Sequence, residues 1–246
     1  MAISISVDPR KLEKAFESLG KQAPYAAMRT INSLAYDDVK PAFKNELQNQ
    51  LDRPTRYTLN SIAIAPAKKN DLTARVFIRD EAYKGRAPAD YLLPMAEGGA
   101  SVLKRSERLL IRKGIMRPSQ RLIPGRRAKL NAYGNWTGAQ MNKALSNIGA
   151  QHDRYQNTNS RTRKRKGQAR YDYFLIPNGH PKLTPGIWKE ERGWAYPWLI
   201  FADRSTERKK QIDLQSVADR TIDANFNKRA QQAAMHALKT AWKRAN

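Results

Sequence analysis

Cysteine is missing from the chain, and histidine occurs only three times among its 246 residues. Without cysteine there are no disulfides, thiolate metal sites or cysteine nucleophiles, which is typical of a protein made in a reducing cytoplasm. The three histidines, His152, His180 and His236, are too far apart in the sequence to pair at a metal-ligand spacing. We therefore expect neither a metal site nor a histidine-based active site.

Long apolar runs and phosphate-binding loops are absent as well. No stretch approaches the roughly 20 apolar residues that span a bilayer, and the first residues lack the charged start and apolar stretch of a signal peptide. The patterns GxGxxG, GxSxG and the P-loop do not occur. These absences predict a soluble, non-enzymatic protein with no cofactor, no membrane partner and no export by a signal peptide.

Positive charge is what the sequence has in excess. Lys and Arg number 46 against 22 Asp and Glu, so the formal net charge is +24. A chain this basic repels itself unless a polyanion or an acidic surface lies nearby. Because 40% of the residues are hydrophobic, with five Trp, ten Tyr and six Phe, a packed core is still expected. The sequence thus predicts a folded protein with an acidic partner.

Two stretches concentrate the cations. Residues 105–129 hold a sparse basic run, and residues 161–166 hold five cations in six positions. Cations at this density neutralise phosphates and release counterions, which gives sequence-independent, salt-sensitive binding. The alternative is a solvated charged loop that only keeps the protein soluble. The residues predicted to contact DNA or an acidic partner are Arg126, Arg127, Arg161, Arg163, Lys164, Arg165 and Lys166.

The apolar spacing predicts helices at both ends of the chain. A first helix begins at Asp8-Pro9, and a second pattern covers residues 24–51, with a kink or a break at Pro41. Helical spacing returns over residues 212–242. In the middle of the chain, Thr137 is predicted to cap another short helix.

Period-two alternation predicts the strands. Residues 72–78 form one strand, and three short strands between residues 171 and 201 form an antiparallel meander, in which Trp194 to Phe201 is buried. The fold class is therefore α+β: N-terminal helices and a long C-terminal helix pack on a small, mostly antiparallel sheet, with a basic, loop-rich insertion.

The chain is predicted to be a single domain, residues 1–246. Its insertion consists of an excursion over residues 83–151 and a flexible polybasic loop over residues 151–170. Within the excursion, the many cations of residues 104–127 predict an exposed segment and not a core element.

Four segments, taken in order, resemble a known family. They are AAMRTINSLAYDDVKPAFKNEL with its Ile31-Asn32 pair, RPTRYTLNSI from Arg53, the polybasic run that ends in Lys166-Gly167-Gln168, and GIWKEERGWAYPWLIFADRSTERKKQIDLQSVADRTIDANFNKRAQQA from Gly186. In this order they are similar to the minor tail protein Z family of lambda-like phages, the tail-completion proteins, and more loosely to phage neck and head-tail joining proteins. The chain is longer than a typical member, chiefly between Tyr83 and Gln151.

This resemblance implies a structural virion protein of the phage neck or tail tube, assembled in the host cytoplasm. Its implied roles are tail completion, head-tail joining and positioning of the DNA end. The implied partners are the tail tube, the tail terminator, the head-tail connector and phage DNA, which is held by nonspecific phosphate contacts. The implied assembly is a homo-oligomeric ring, with a hexamer as the first expectation.

An alternative depends on charge alone. The chain is then a sequence-nonspecific DNA-binding or DNA-processing protein, including a nuclease. A carboxylate-metal nuclease needs acids beside a lysine on strands, and Asp172, Glu190 and Glu191 with Lys189 are the candidates. His152 is the candidate for a histidine-metal version.

Overall fold

The computed structural model describes residues 2–5, 9–83, 85–100, 102–158, 161, 165, 172–203 and 207–245. The described residues form helices and small antiparallel sheets, which confirms the α+β class. They pack into two compact units: unit 1 is residues 1–100 with 208–246, and unit 2 is residues 101–207. The boundaries differ from those of the predicted excursion over residues 83–151, because unit 2 also takes in the strands between residues 172 and 203.

Unit 1 begins with a strand and a series of helices. These are β1 (Ala2–Ile5), α1 (Pro9–Phe16), a 3-10 helix (Glu17–Gln22), α2 (Ala23–Ser33), a π-helix (Leu34–Val39), α3 (Lys40–Gln50) and α4 (Arg56–Leu59). The first predicted helix is confirmed, with Leu12 and Phe16 buried on its inner side.

The break predicted at Pro41 takes the form of the π-helix. Pro41 has no N–H to donate, and its ring crowds the carbonyl four residues earlier. In the widened turn before it, the Lys40 N–H donates to the carbonyl of Ala35, five residues back. A π-helical turn of this kind is one of the recognised ways to bend a helix at a proline. The helical path therefore continues from Ala23 to Gln50 without a loop.

The sheet of unit 1 has three strands in the order β1-β3-β2, all antiparallel, where β2 is Ile62–Ala65 and β3 is Ala74–Ile78. The predicted alternation is confirmed in β3, because Ala74, Val76 and Ile78 are buried and Arg75 is exposed. Helix α5 (Ala89–Ala96) follows the sheet, and β4 (Gly99–Ala100) ends this part of the unit.

The long C-terminal helix α8 (Leu214–Ala245) completes unit 1 and confirms the predicted terminal helix. Its inner face is small and apolar, with Val217, Ala218, Ala230 and Ala237 in the same core as Ile31 of α2. Small side chains let the two helix backbones approach closely, since packing distance depends on the side chains at the contact.

Unit 2 contains a four-stranded antiparallel sheet in the order β5-β8-β7-β6. Its elements are α6 (Arg105–Arg112), β5 (Gln120–Pro124), α7 (Gly138–Asn147), a 3-10 helix (Arg154–Gln156), β6 (Tyr173–Ile176), β7 (Gly186–Glu191) and β8 (Trp194–Asp203). The two-residue strand β9 (Glu207–Arg208) falls where the chain passes from unit 2 back to unit 1. The predicted meander is confirmed as β6-β7-β8. The Thr137 hydroxyl accepts a hydrogen bond from the Gln140 N–H, which confirms the predicted cap of α7.

The prediction that residues 104–127 lie outside the core was wrong. Leu110, Met116 and Leu122 are at most 4% exposed and belong to the core of unit 2 together with Trp198. Apart from the half-buried Arg121, the cations of this segment extend into solvent, while its aliphatic residues point inward. The density of arginines therefore concealed an ordinary amphipathic pattern.

Candidate nucleic-acid and acidic-partner interface

The two units differ in charge. Unit 2 has 22 Lys and Arg against 7 Asp and Glu, a net charge of +15, whereas unit 1 has 24 against 15, a net charge of +9. Unit 2 is also the shorter of the two. A surface that attracts a polyanion is therefore expected on unit 2 more than on unit 1.

The predicted run at residues 161–166 lies only partly within the described residues. Arg161 and Arg165 are exposed and helical, while Arg163, Lys164 and Lys166 fall outside the residues that the structure describes. Before this run, the chain is tied back to α7, because the Thr158 N–H donates to the carbonyl of Ser146 at 3.1 Å.

Arg126 and Arg127, the other predicted contact residues, form the tip of a tight turn. The Gly125 N–H donates to the carbonyl of Trp198 at 2.8 Å, and the Ala128 N–H donates to the carbonyl of Gly125 at 2.9 Å. Gly125 lies against the backbone of Pro197 so closely that no side chain would fit there. The turn therefore presents two exposed arginines on a backbone held by the sheet.

Helix α6 presents a second basic surface. Arg105, Arg108 and Arg112 follow the spacing i, i+3, i+7 and are all exposed on one face. The opposite face carries the buried Glu107 and Leu110. Among the described residues, no Asp or Glu forms an ion pair with these three arginines. We call this row the α6 basic face.

A buried carboxylate holds the α6 basic face in place. Glu107 is only 2% exposed, and its two oxygens accept from the N–H groups of Lys104 at 2.6 Å and Leu122 at 3.0 Å. The first bond caps the start of α6, and the second satisfies the outer edge of β5. Sequence reasoning missed Glu107, although a Glu three residues after the start of a helix is the usual capping pattern.

The acids named for the alternative hypothesis do come together. Asp172, Glu190 and Glu191 line a cleft of about 540 Å³ between α7 and the ends of β6 and β7. Asp172 pairs with Lys143 of α7. Within the described part of the chain, no group of three or more Asp, Glu or His is arranged to hold a metal ion. His152 is exposed and does not line this cleft.

Glu191 is the best-connected acid of the cleft. Its carboxylate accepts from the Tyr196 hydroxyl at 2.8 Å, from Lys189 Nζ at 3.1 Å and from Lys129 Nζ at 3.3 Å. These three hydrogen bonds, that of Tyr196 foremost, lower the pKa of Glu191 to about 2. Burial, followed by the bond to Glu191, raises the pKa of Tyr196 to about 12. Glu191 therefore stays ionised and compensates two lysines, a role that its sequence position did not indicate.

The β7-β8 hairpin corrects one further prediction. Trp194, expected at the start of a buried strand, is 73% exposed, whereas Trp198 and Leu199 further along β8 are buried. The hairpin turn is Arg192-Gly193, both with positive φ, as a two-residue type I′ turn requires. Trp194 extends past the edge of the core because it is the first residue after this turn.

Comparison with known proteins matched the chain to no family model, no curated protein and no solved structure. None of the helices in the described ranges is both long and apolar enough to cross a membrane.

Proposed function

We propose that this chain is a structural protein of the phage neck or tail tube, which acts in tail completion, head-tail joining and positioning of the DNA end. It acts without catalysis, through the basic surface of unit 2. One observation carries the proposal: the α6 basic face and the Arg126-Arg127 turn present exposed cations on rigid elements, without acidic partners among the described residues.

Such a surface attracts DNA through its phosphates. Five exposed arginines on α6 and the β5 turn can displace counterions without reading bases, so the attraction depends on salt and not on sequence. Nearby acids do not offset this charge: Glu107 is turned inward and Glu191 is compensated by Lys129 and Lys189. Nonspecific attraction suits a duplex that must be held and later released. The same cations suit an acidic face of a neighbouring tail or connector protein.

The proposed assembly is a homo-oligomeric ring, with a hexamer as the first expectation. The C-terminal helix supports a protein contact, because Met235, Leu238 and Trp242 form an i, i+3, i+7 row on α8 and are 57%, 56% and 73% exposed. An apolar row of this size on an otherwise polar helix face is typical of a surface that another chain covers. The proposed partners are the tail tube, the tail terminator, the head-tail connector and phage DNA.

Quantitative mass spectrometry of purified phage particles tests the virion role. We expect a low copy number relative to the portal and the major tail protein, on the order of six to twelve, as closed rings require. Particles that are infectious and lack the chain would contradict the proposal.

A second candidate function is a sequence-nonspecific DNA-binding or DNA-processing protein, and the acids proposed for its nuclease version, Asp172, Glu190 and Glu191, line one cleft. Metal-dependent cleavage of DNA by the purified chain, abolished in Asp172→Asn and retained in the His180→Ala control, would establish that version. The absence of cleavage over a range of divalent metals would remove it.

A further inference from the structure

Trp194 stands at one end of the unit 2 sheet with most of its surface in solvent. It opens β8 directly after the Arg192-Gly193 turn and is 73% exposed, whereas Trp198 of the same strand is 1% exposed. A single exposed apolar residue needs no explanation by itself. The exposure of Trp194 becomes informative together with the basic loop that follows β5.

Backbone contacts direct the basic loop after β5 towards this end of the sheet. Pro124 of β5 pairs with Leu199 of β8, and the Gly125 N–H donates to the carbonyl of Trp198. The Arg126-Arg127 turn therefore starts beside the middle of β8. Further along this loop, Lys129 lies 3.3 Å from the carboxylate of Glu191, which is the residue directly opposite Trp194 in the hairpin.

The loop after β5 and the β7-β8 hairpin together carry more cations than acids. We call the group the hairpin-end surface; it consists of Trp194 with Arg126, Arg127, Lys129, Lys189, Arg192, Glu190 and Glu191. The group holds five cations and two acids. Glu191 already accepts hydrogen bonds from Tyr196, Lys189 and Lys129. Because the two lysines compensate its charge, Glu191 holds these side chains in place more than it repels an anion.

An exposed aromatic ring among arginines and lysines has a well-defined binding chemistry. Every nucleobase has a flat face that stacks on an aromatic side chain, and the adjacent cations hold the phosphates. In a duplex the base faces are already stacked on each other, so a ring of this kind distinguishes single strands from double strands. The α6 basic face, whose exposed row is made of arginines, contributes phosphate attraction to either form.

We propose that the hairpin-end surface binds single-stranded nucleic acid, with a base stacked on Trp194 and phosphates on Arg126 and Arg127. The inference rests on the proposed function, in which unit 2 contacts DNA. It adds that the hairpin-end surface selects single strands. The site is sequence-tolerant, because stacking needs only a base face.

Fluorescence anisotropy tests the proposal with the full-length chain, a labelled oligothymidylate and a duplex of equal length, both at one salt concentration. Trp194→Ala is expected to bind the oligothymidylate on the order of 10- to 100-fold more weakly and the duplex about as well as before. Trp194→Phe is the matched control, since it keeps a ring and is expected to keep most of the affinity. The double change Arg126→Ser with Arg127→Ser is expected to weaken binding of both forms.

Tryptophan fluorescence gives a second measurement on the same proteins. Oligothymidylate is expected to quench the wild-type chain more than Trp194→Phe, because a stacked base quenches the ring that it covers. Equal quenching of the two proteins, or unchanged affinity of Trp194→Ala for the oligothymidylate, would overturn the stacking site. So would an equal loss of affinity for single and double strands.

These outcomes separate the stacking site from the proposed function. Binding of oligothymidylate that depends on Trp194, in a chain that is absent from particles, would support the stacking site and contradict the virion role. A chain that is present in particles and binds only the duplex would support the virion role and overturn the stacking site.

Discussion

Units 1 and 2 use their charged residues differently. In unit 1, Arg229 of α8 makes two hydrogen bonds to Asp38, at 2.7 and 2.9 Å, and its side chain is only 18% exposed. In unit 2, the arginines of α6 and of the β5 turn extend into solvent, and it is the backbone beneath them that is fixed. Arg229 thus joins two helices of unit 1, whereas the arginines of α6 and of the β5 turn form no ion pair with an acid among the described residues.

Two carboxylates show the same difference. Asp38, in the π-helix of unit 1, accepts from a guanidinium of another helix. Glu107, in unit 2, accepts from two backbone N–H groups in a segment rich in arginine. A carboxylate that is saturated by N–H groups leaves the neighbouring cations uncompensated. Unit 2 thereby gains a structural acid without losing surface charge.

The largest expected effect comes from removing Glu107. Glu107→Ala leaves the N–H groups of Lys104 and Leu122 without their acceptor, and we expect a loss of about 3 kcal/mol in the free energy of unfolding. Urea denaturation measures it. The control Glu107→Gln keeps one acceptor oxygen and should lose less. Stability of Glu107→Ala equal to that of the wild type would mean that the carboxylate does not hold α6.

The matching test in unit 1 is Arg229→Met, which keeps the aliphatic volume and removes the bond to Asp38. We expect a loss of about 2 kcal/mol, less than for a fully buried pair, because Arg229 and Asp38 retain some solvent contact. Thermal or urea unfolding measures it. The control Lys11→Met removes the exposed pair with Asp223 and should change stability little. A comparable loss of stability in both variants would mean that the Arg229–Asp38 pair contributes no more than an exposed ion pair.

The salt dependence of DNA binding tests the difference in charge between the two units. The double change Arg126→Ser with Arg127→Ser should lower the slope of log affinity against log salt by about two, because each phosphate contact contributes about one. As the matched control, Arg56→Ser with Arg75→Ser removes two exposed arginines of unit 1 and should leave the slope unchanged. An equal decrease in both double variants would show that the whole chain binds DNA without a preferred surface.

The smallest effect concerns pH. The folded-state pKa of Glu191 is about 2, below its ordinary 4.5. Its contribution to stability is therefore complete above about pH 4.5 and is lost as the pH falls towards 2, where the folded form also takes up the proton. The difference in stability between wild type and Glu191→Gln, measured by urea unfolding at several pH values, should shrink over this window. A difference that is independent of pH would mean that the hydrogen bonds of Glu191 do not depend on its charge.

Much of the fold could be predicted from local patterns, since the meander, β3 and the terminal helix each show a clear period in the sequence. The predictions that failed concern residues whose role is set by distant neighbours. In the sequence, Leu110 and Leu122 belong to a basic segment. Only the folded chain shows that they share one core. Trp194 looked buried because strand patterns do not show where a hairpin leaves the core.

Arg126 and Arg127, which were proposed as contact residues from charge density alone, are exposed. What holds them could not be predicted. Gly125 is fixed by its contact with Pro197, about 70 positions further along the chain. Glu107 and Leu122 are likewise joined only in the folded chain.

The pairing of β4 with β9 has a consequence for how this protein can change over time. The chain enters unit 2 just after β4 and leaves it at β9, so the entry and exit points stand on neighbouring strands. An insertion whose two ends are adjacent can be shortened, exchanged or acquired without changing the path of the chain that carries it. The basic unit is thus an insertion within the helical one, and changes in its sequence or length can accumulate without altering the core of unit 1.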